Sequence, residues 1–159
     1  MENETSRLNL GDRAPAFQLA QSDGKTFSLT DALTAGSSLL LIFCHGSSCT
    51  ICQQQLSELQ TYQQRFEDRG IRPIIITTDR VAENRHWQKA MGLSFPVLSD
   101  DSTVTEEYGV LEDAGIKPTL IIVDRHGTIG WIYVGNCTPN RDWPTPEYIF
   151  RHMVIARGV

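Results

Sequence analysis

Two cysteines separated by two residues, Cys49 and Cys52, are the side chains of this chain best suited to covalent chemistry. They follow an apolar run, residues 39–43, and precede an amphipathic pattern that predicts a helix. Two thiols in the first turn of a helix can close a small disulfide ring, and the helix N-terminus favours a thiolate on the leading sulfur. Because a thiolate is the nucleophile in disulfide exchange, the pattern predicts redox chemistry in which Cys49 attacks and Cys52 resolves the mixed disulfide.

The neighbouring residues Cys44 and His45 leave other interpretations open. Together with Cys49 and Cys52 they offer four potential zinc ligands, but the sequence has no second Cys-x-x-Cys pair and no spaced histidine pair. We therefore expect no metal and no other cofactor. Cys44 ends a predicted buried strand, which favours a core residue over a third redox thiol. His45 is either a modulator of Cys49 or an exposed histidine without a role.

The composition is that of an ordinary soluble globular protein. The chain has 159 residues, of which 40% are hydrophobic and 21% charged, and this length fits one domain spanning residues 1–159. A net charge of -5 and the absence of a Lys/Arg-rich stretch argue against nucleic acid as a partner. The acidic residues 1–6 differ from a secretory signal, and no apolar run of about 18 residues indicates a membrane span. We therefore expect a cytoplasmic protein whose cysteines are mostly thiols.

Hydrophobic patterning predicts a mixed α/β fold. Residues 17–29 alternate around a turn and predict a hairpin, and the apolar run 39–43 predicts a strand buried on both faces of a sheet. The strand–helix–strand order that follows requires parallel strands joined by a right-handed crossover. The other predicted elements are a short helix capped by Thr30 or Asp31, a helix from Cys49 to near Gly70, a strand at 73–78, a helix capped by Asp79 and running to Met91, a short helix between Ser99 and Gly109, strands at 119–123 and 130–134, and a helix after Thr145.

Four segments of the chain, residues 10–19, 24–29, 94–100 and 117–124, resemble those of one known group of proteins. With a Cys-x-x-Cys pair after the first central strand, they are similar to the redoxin group of the thioredoxin-fold superfamily. That group holds peroxiredoxins of the alkyl hydroperoxide reductase type and thiol:disulfide proteins of the cytochrome-maturation type. The resemblance implies a thioredoxin-like fold, a central mixed sheet flanked by helices, with an N-terminal β-hairpin extension.

The resemblance also implies a role for Pro118. This residue matches the family's cis-proline, which lies beside the active-site dithiol and shapes a groove for the backbone of a partner. Lys117 precedes it and is expected at the same groove. From the residues alone, Pro118 is only the start of a strand.

One family motif is missing. Peroxiredoxins resemble one another in a Pro-x-x-x-Thr/Ser-x-x-Cys motif, whose hydroxyl, with an arginine from elsewhere, orients peroxide at the thiolate. Counted back from Cys52, the hydroxyl and proline positions are Cys49 and His45; counted back from Cys49, they are Gly46 and Ile42. Because neither register preserves the motif, we predict a thiol:disulfide oxidoreductase, with a peroxiredoxin-type thiol peroxidase as the alternative.

The predicted partners follow from this chemistry. They are protein or small-molecule disulfides, or hydroperoxides in the alternative, together with a thioredoxin- or glutathione-type reductant. A noncatalytic redox-fold scaffold or a zinc-binding module is the second alternative. Cys137, after the last predicted strand, is interpreted as an unpaired loop thiol, and a peroxidase cycle would offer it the role of a resolving thiol.

Overall fold

The computed structural model describes residues 8–135 and 144–156, with side chains described as far as residue 152. None of the helices in these ranges has the length and the hydrophobicity that a membrane-spanning helix requires. The strands are β1 (Gln18–Gln21), β2 (Thr26–Ser28), β3 (Ser38–Phe43), β4 (Ile71–Thr77), β5 (Val97–Ser99), β6 (Leu111–Glu112), β7 (Gly115–Ile116), β8 (Thr119–Val123) and β9 (Ile129–Val134). The helices are α1 (Leu29–Thr34), α2 (Thr50–Gln60), α3 (Gln63–Asp68), α4 (Val81–Met91), α5 (Thr103–Glu107) and α6 (Pro146–Ala156), and a 3-10 turn (Gly46–Ser48) precedes α2.

Seven strands form one mixed sheet in the order β2-β1-β5-β4-β3-β8-β9. Strand β4 is parallel to both β3 and β5, whereas the other neighbours are antiparallel. The predicted central mixed sheet and the parallel strand–helix–strand unit are therefore confirmed. The predicted N-terminal hairpin is also present, but it is part of the main sheet, because β1 pairs with β5.

Strand β3 lies near the middle of this sheet and divides the core into two layers. Its residues are fully buried except Ser38, and alternate side chains point to opposite faces. Leu40 and Ile42 pack with the apolar residues of α2, α3, α4 and α6, whereas Leu39 and Leu41 pack with those of α1 and α5. The predicted flanking helices are thus confirmed, and the carboxyl end of β3 delivers the chain to the start of α2.

Two predicted helices differ in the structure. The helix that starts after Cys49 stops at Gln60, because the Thr61 hydroxyl donates to the Glu58 carbonyl (2.7 Å) and competes with helix continuation. A second helix, α3, then carries the chain to Asp68. Helix α4 begins at Val81 with Arg80 as its N-cap residue, so the predicted cap at Asp79 is wrong.

Short elements were harder to predict. The N-cap of α1 is Ser28, whose side chain accepts from the Asp31 backbone N–H, and neither Thr30 nor Asp31 takes that place. Strand β5 and the β6–β7 hairpin have two or three residues each, too few to show a hydrophobic period. The last helix starts as predicted, because the Thr145 hydroxyl accepts from the Tyr148 N–H and proline occupies the first helical position.

Candidate active site

Cys49 is the N-cap residue of helix α2. Its backbone is extended (φ -136°, ψ 99°), its carbonyl accepts the first helical hydrogen bond, from Gln53, and its Sγ accepts from the backbone N–H of Cys52 at 3.2 Å. An N–H donor and the positive end of a helix both stabilise negative charge on this sulfur. Only 8% of the residue is exposed, so small molecules reach the sulfur more readily than large ones. The geometry therefore suits Cys49 to act as a thiolate nucleophile.

Cys52 lies one turn deeper and is fully buried. Contact with the Cys44 side chain and burial raise the pKa of the Cys52 thiol far above its ordinary value. Hydrogen bonds from Cys49 and from the backbone of His45 act in the opposite direction but are the weaker influences. Cys52 consequently remains a protonated thiol at neutral pH, which suits a resolving cysteine better than an attacking one.

Cys44 completes a row of three thiols. It follows β3 directly, continues the pairing with β4 through its N–H bond to the Ile76 carbonyl (3.1 Å), and is fully buried, as predicted for a core residue. Its side chain lies on the face that α2 covers and is in hydrogen-bond contact with Cys52. The structure therefore places Cys52 between Cys44 and Cys49, and none of the three is joined in a disulfide.

The turn before Cys49 is held by residues that the sequence patterns do not identify. A carboxylate oxygen of Asp79 accepts from the Ser47 N–H at 2.8 Å, and the Gln53 side-chain amide donates to the Gly46 carbonyl at 2.9 Å. Gly46 has φ +72°, and a Cβ there would lie 2.5 Å from Asp79 Oδ2. Only the folded chain brings Asp79 to this turn, 32 residues away in sequence, so no local signal would have revealed it.

His45 lies beside the thiols, but its ring faces another element. The ring atoms Cε1 and Nδ1 are 3.4 and 3.8 Å from the position a Cβ would take on Gly115, in the β6–β7 hairpin. Its backbone, not its imidazole, is the group that hydrogen-bonds Cys52. The predicted influence of His45 on Cys49 therefore stays a prediction.

The groove for a partner's backbone was predicted from a cis bond at Pro118, and the structure does not contain that bond. No peptide bond within residues 8–135 and 144–156 is cis, so the Lys117–Pro118 bond is trans and the predicted cis bond is wrong. The trans bond leads straight into β8, and the chain is held on both sides of it: Lys117 N–H donates to the Val110 carbonyl (2.7 Å), and the Pro118 carbonyl accepts from Gly135 N–H (2.8 Å). The Lys117 ammonium lies 3.7 Å from Glu112 in an exposed ion pair.

Two further predictions concern metal binding and Cys137. Within the described ranges, no group of three or more His, Cys, Asp or Glu side chains is arranged to hold a metal ion. Cys137 lies outside the described residues, so its assignment as a loop thiol stays a prediction.

The different surroundings of the two cysteines predict their order of alkylation. We expect iodoacetamide at pH 8 to modify Cys49 at least about tenfold faster than Cys52, because alkylation requires thiolate and access, and burial keeps Cys52 protonated. Intact-mass and fragment analysis of the reduced protein at early times measures both rates. Equal rates, or faster modification of Cys52, would contradict the assignment.

Comparison with known proteins identifies relatives over most of the chain. The AhpC/TSA family model matches residues 10–132. A candidate peroxiredoxin of Mycobacterium tuberculosis strain H37Rv is 30% identical over 135 residues, which cover 79% of this chain and 85% of the relative. The chain is 27% identical to peroxiredoxin Q, a chloroplastic protein of Oryza sativa subsp. japonica, over 139 residues that cover 85% of this chain and 63% of the relative.

Solved structures show the same fold. Peroxidoxin BcpB from Mycobacterium tuberculosis superposes with a TM-score of 0.81 at 17% identity, covering 96% of this chain and 99% of that chain. The reduced 2-Cys peroxiredoxin of Plasmodium vivax superposes with a TM-score of 0.82 at 20% identity, covering 95% and 98%. The thioredoxin-like fold is thereby confirmed.

These findings overturn the predicted function. Because the hydroxyl motif is missing, the sequence predicts a thiol:disulfide oxidoreductase, with a peroxidase only as the alternative. That prediction is wrong, because the relatives and the structural neighbours are peroxiredoxins. The absence of one short motif counts for less than a family match over residues 10–132. The predicted resemblance is confirmed: the chain belongs to the AhpC/TSA family and is a thiol-dependent oxidoreductase.

Proposed function

We propose that this protein is a thiol peroxidase that reduces small hydroperoxides, with Cys49 as the attacking cysteine and Cys52 as the resolving cysteine. The observation that carries the proposal is the position of the Cys49 sulfur at the N-terminus of α2, where it accepts the Cys52 N–H. That environment favours the thiolate at one sulfur, while burial and Cys44 hold the other as a thiol. A nucleophile and a proton donor are thus paired in one turn of helix.

The reaction proceeds in two balanced steps. The Cys49 thiolate attacks the terminal oxygen of the hydroperoxide, the O–O bond breaks, and the leaving alkoxide or hydroxide takes a proton from water. Cys49 is then a sulfenic acid. The Cys52 sulfur attacks the Cys49 sulfur, its proton and the sulfenic hydroxyl leave as water, and a Cys49–Cys52 disulfide remains.

Backbone groups supply the electrostatic support for the first step. In the register of Cys49 the motif's hydroxyl position is Gly46, which has no side chain to offer. The first N–H groups of an α-helix have no partner inside the helix, and they point toward the sulfur at the cap. These donors can stabilise the negative charge that develops on the departing oxygen, as an oxyanion hole does.

Restricted access supports a small substrate. The Cys49 residue is 8% exposed, and it lies between exposed neighbours, Ser48 and Thr50. Hydrogen peroxide and short alkyl hydroperoxides reach such a sulfur without moving the helix. A thioredoxin- or glutathione-type thiol is the proposed reductant of the resulting disulfide, and a cytoplasmic location stays a prediction.

Rapid-reaction kinetics test this function. Fully reduced protein mixed with hydrogen peroxide at pH 7 is expected to lose thiol at least about 100-fold faster than glutathione under the same conditions, a typical gain from preorganised hydrogen-bond donors. Intact mass at each time follows the sulfenic acid and the disulfide. Oxidation no faster than that of glutathione would refute the proposal.

A further inference from the structure

The row of three thiols contains one more group than the proposed peroxidase cycle uses. Cys44 is fully buried and follows Ile42 by two residues, so its side chain lies on the same face of the sheet, which α2 covers. It contacts the Cys52 side chain, and Cys52 contacts Cys49. A cysteine that only filled space in the core would have no requirement for a sulfur neighbour.

We propose that Cys44 is a third redox thiol that takes over the disulfide from Cys49. The Cys44 sulfur attacks the Cys52 sulfur of the Cys49–Cys52 disulfide, the Cys49–Cys52 bond breaks, and a Cys44–Cys52 bond forms. The proton lost by Cys44 is gained by Cys49, so the exchange is an internal rearrangement that requires no oxidant or reductant of its own. The initial disulfide is supplied by the peroxidase function proposed above.

The arrangement of the three sulfurs favours this direction of exchange. Thiol–disulfide exchange is faster when the departing sulfur is the more stable thiolate. The departing sulfur here is Cys49, which the helix N-terminus and the Cys52 N–H stabilise. The Cys52 side chain is in contact with both Cys44 and Cys49, so its sulfur is within reach of Cys44.

The exchange has a functional consequence. It moves the disulfide from the rim of the site into the core and returns Cys49 to its reduced form. A molecule that has reduced one hydroperoxide can then react with a second before any external reductant arrives. Without the exchange, the thiol left in the row would be Cys44, which is fully buried.

Differential alkylation of the oxidised protein tests the exchange. A Cys137→Ser background leaves Cys44, Cys49 and Cys52 as the only cysteines. One equivalent of hydrogen peroxide or of diamide is added, the acid-quenched protein is treated with N-ethylmaleimide, and the disulfide is then reduced and treated with iodoacetamide. All three cysteines lie in the tryptic peptide 26–65, whose fragmentation locates each label.

We expect at least about one in ten of the disulfide-containing molecules to carry N-ethylmaleimide on Cys49. The exchanged form is then populated to within about tenfold of the unexchanged form. N-ethylmaleimide on Cys44 alone would overturn it, and so would the absence of any disulfide after diamide. The diamide arm separates the two proposals: if only diamide oxidises the protein and the label appears on Cys49, Cys44 stands as a redox thiol paired with Cys52 and the peroxidase function fails.

Two variants provide independent checks. The protein in the Cys137→Ser background is expected to consume about two equivalents of hydrogen peroxide without a reductant, and Cys44→Ala in that background only about one. Cys49→Ser is expected to form the Cys44–Cys52 disulfide directly with diamide. Equal consumption with and without Cys44, or a Cys49→Ser protein that forms no disulfide, would contradict the exchange even where labelling is incomplete.

Discussion

Replacing Cys49 with serine is expected to lower the second-order rate constant for hydrogen peroxide by at least about 1000-fold. The substitution keeps the helix cap, because a serine oxygen accepts the Cys52 N–H as the sulfur does. It removes the sulfur whose thiolate attacks peroxide, and the effect of losing a covalent nucleophile is of this order. The neighbouring Cys52 is a poor substitute, since it is fully buried and its pKa is raised by Cys44 and by desolvation.

Cys52→Ser is the matched variant for this measurement. It leaves the Cys49 sulfur and the backbone donor in place, so the first step is expected to keep its rate within about threefold. The product should differ: a sulfenic acid accumulates on Cys49, detected by dimedone trapping and intact mass, and no Cys49–Cys52 disulfide forms. If Cys49→Ser reacted normally and Cys52→Ser did not, the two roles would be reversed, with Cys49 standing in place of the hydroxyl residue.

Gly46→Ala is expected to destabilise the fold by about 2–5 kcal/mol and to slow the peroxide reaction by roughly 10- to 100-fold. A positive φ costs about 1–2 kcal/mol for a residue with a Cβ, and overpacking adds about 1–3 kcal/mol. The new Cβ would lie 2.5 Å from Asp79 Oδ2 and 3.0 Å from Thr77 Cγ2. The turn must shift to relieve these contacts, and it carries Cys49 with it, since the Cys49 N–H bonds the Gly46 carbonyl.

Gly92→Ala separates the two contributions to that effect. Gly92 also has a positive φ, +66°, but a Cβ there meets nothing within 4 Å. We expect a cost of about 1 kcal/mol in urea denaturation and an unchanged rate with peroxide, because Gly92 ends α4 away from the cysteines. In an Asp79→Ala background the excess cost of Gly46→Ala should shrink. If the two alanine variants lost equal stability and equal activity, the close contact with Asp79 would have no role.

The fold was predictable where one hydrophobic period extends over enough residues. β3 is fully apolar after Ser38 because both of its faces are covered, and α4 ends at Gly92, whose φ of +66° is left-handed. Prediction failed where a side chain competes locally with the regular structure. Thr61 ends α2 at Gln60, well before the stop predicted near Gly70, and the Ser28 hydroxyl caps α1 ahead of the residues proposed for that role.

The positions of the two candidate redox cysteines were predictable, but the residues that hold the turn before them were not. Their spacing and position identify Cys49 and Cys52, since two thiols in the first turn of a helix can form a redox pair. The support comes from Asp79, and its distance from Ser47 in sequence hides the contact. The cis bond expected at Pro118 rested on the resemblance to the family, and this chain does not adopt it.

The sequence by itself determined the Cys-x-x-Cys pair, the buried strand that precedes it and the helix that follows it. These are properties of short segments, because hydrophobic period and residue type act over one or two turns. Only the tertiary structure decided which thiol is protonated and which neighbours it meets. Cys44 approaches Cys52 because β3 passes beneath α2, and the resulting burial and sulfur contact hold the proton on Cys52. Desolvation and contact between distant segments depend on packing, and packing has no local signal in the chain.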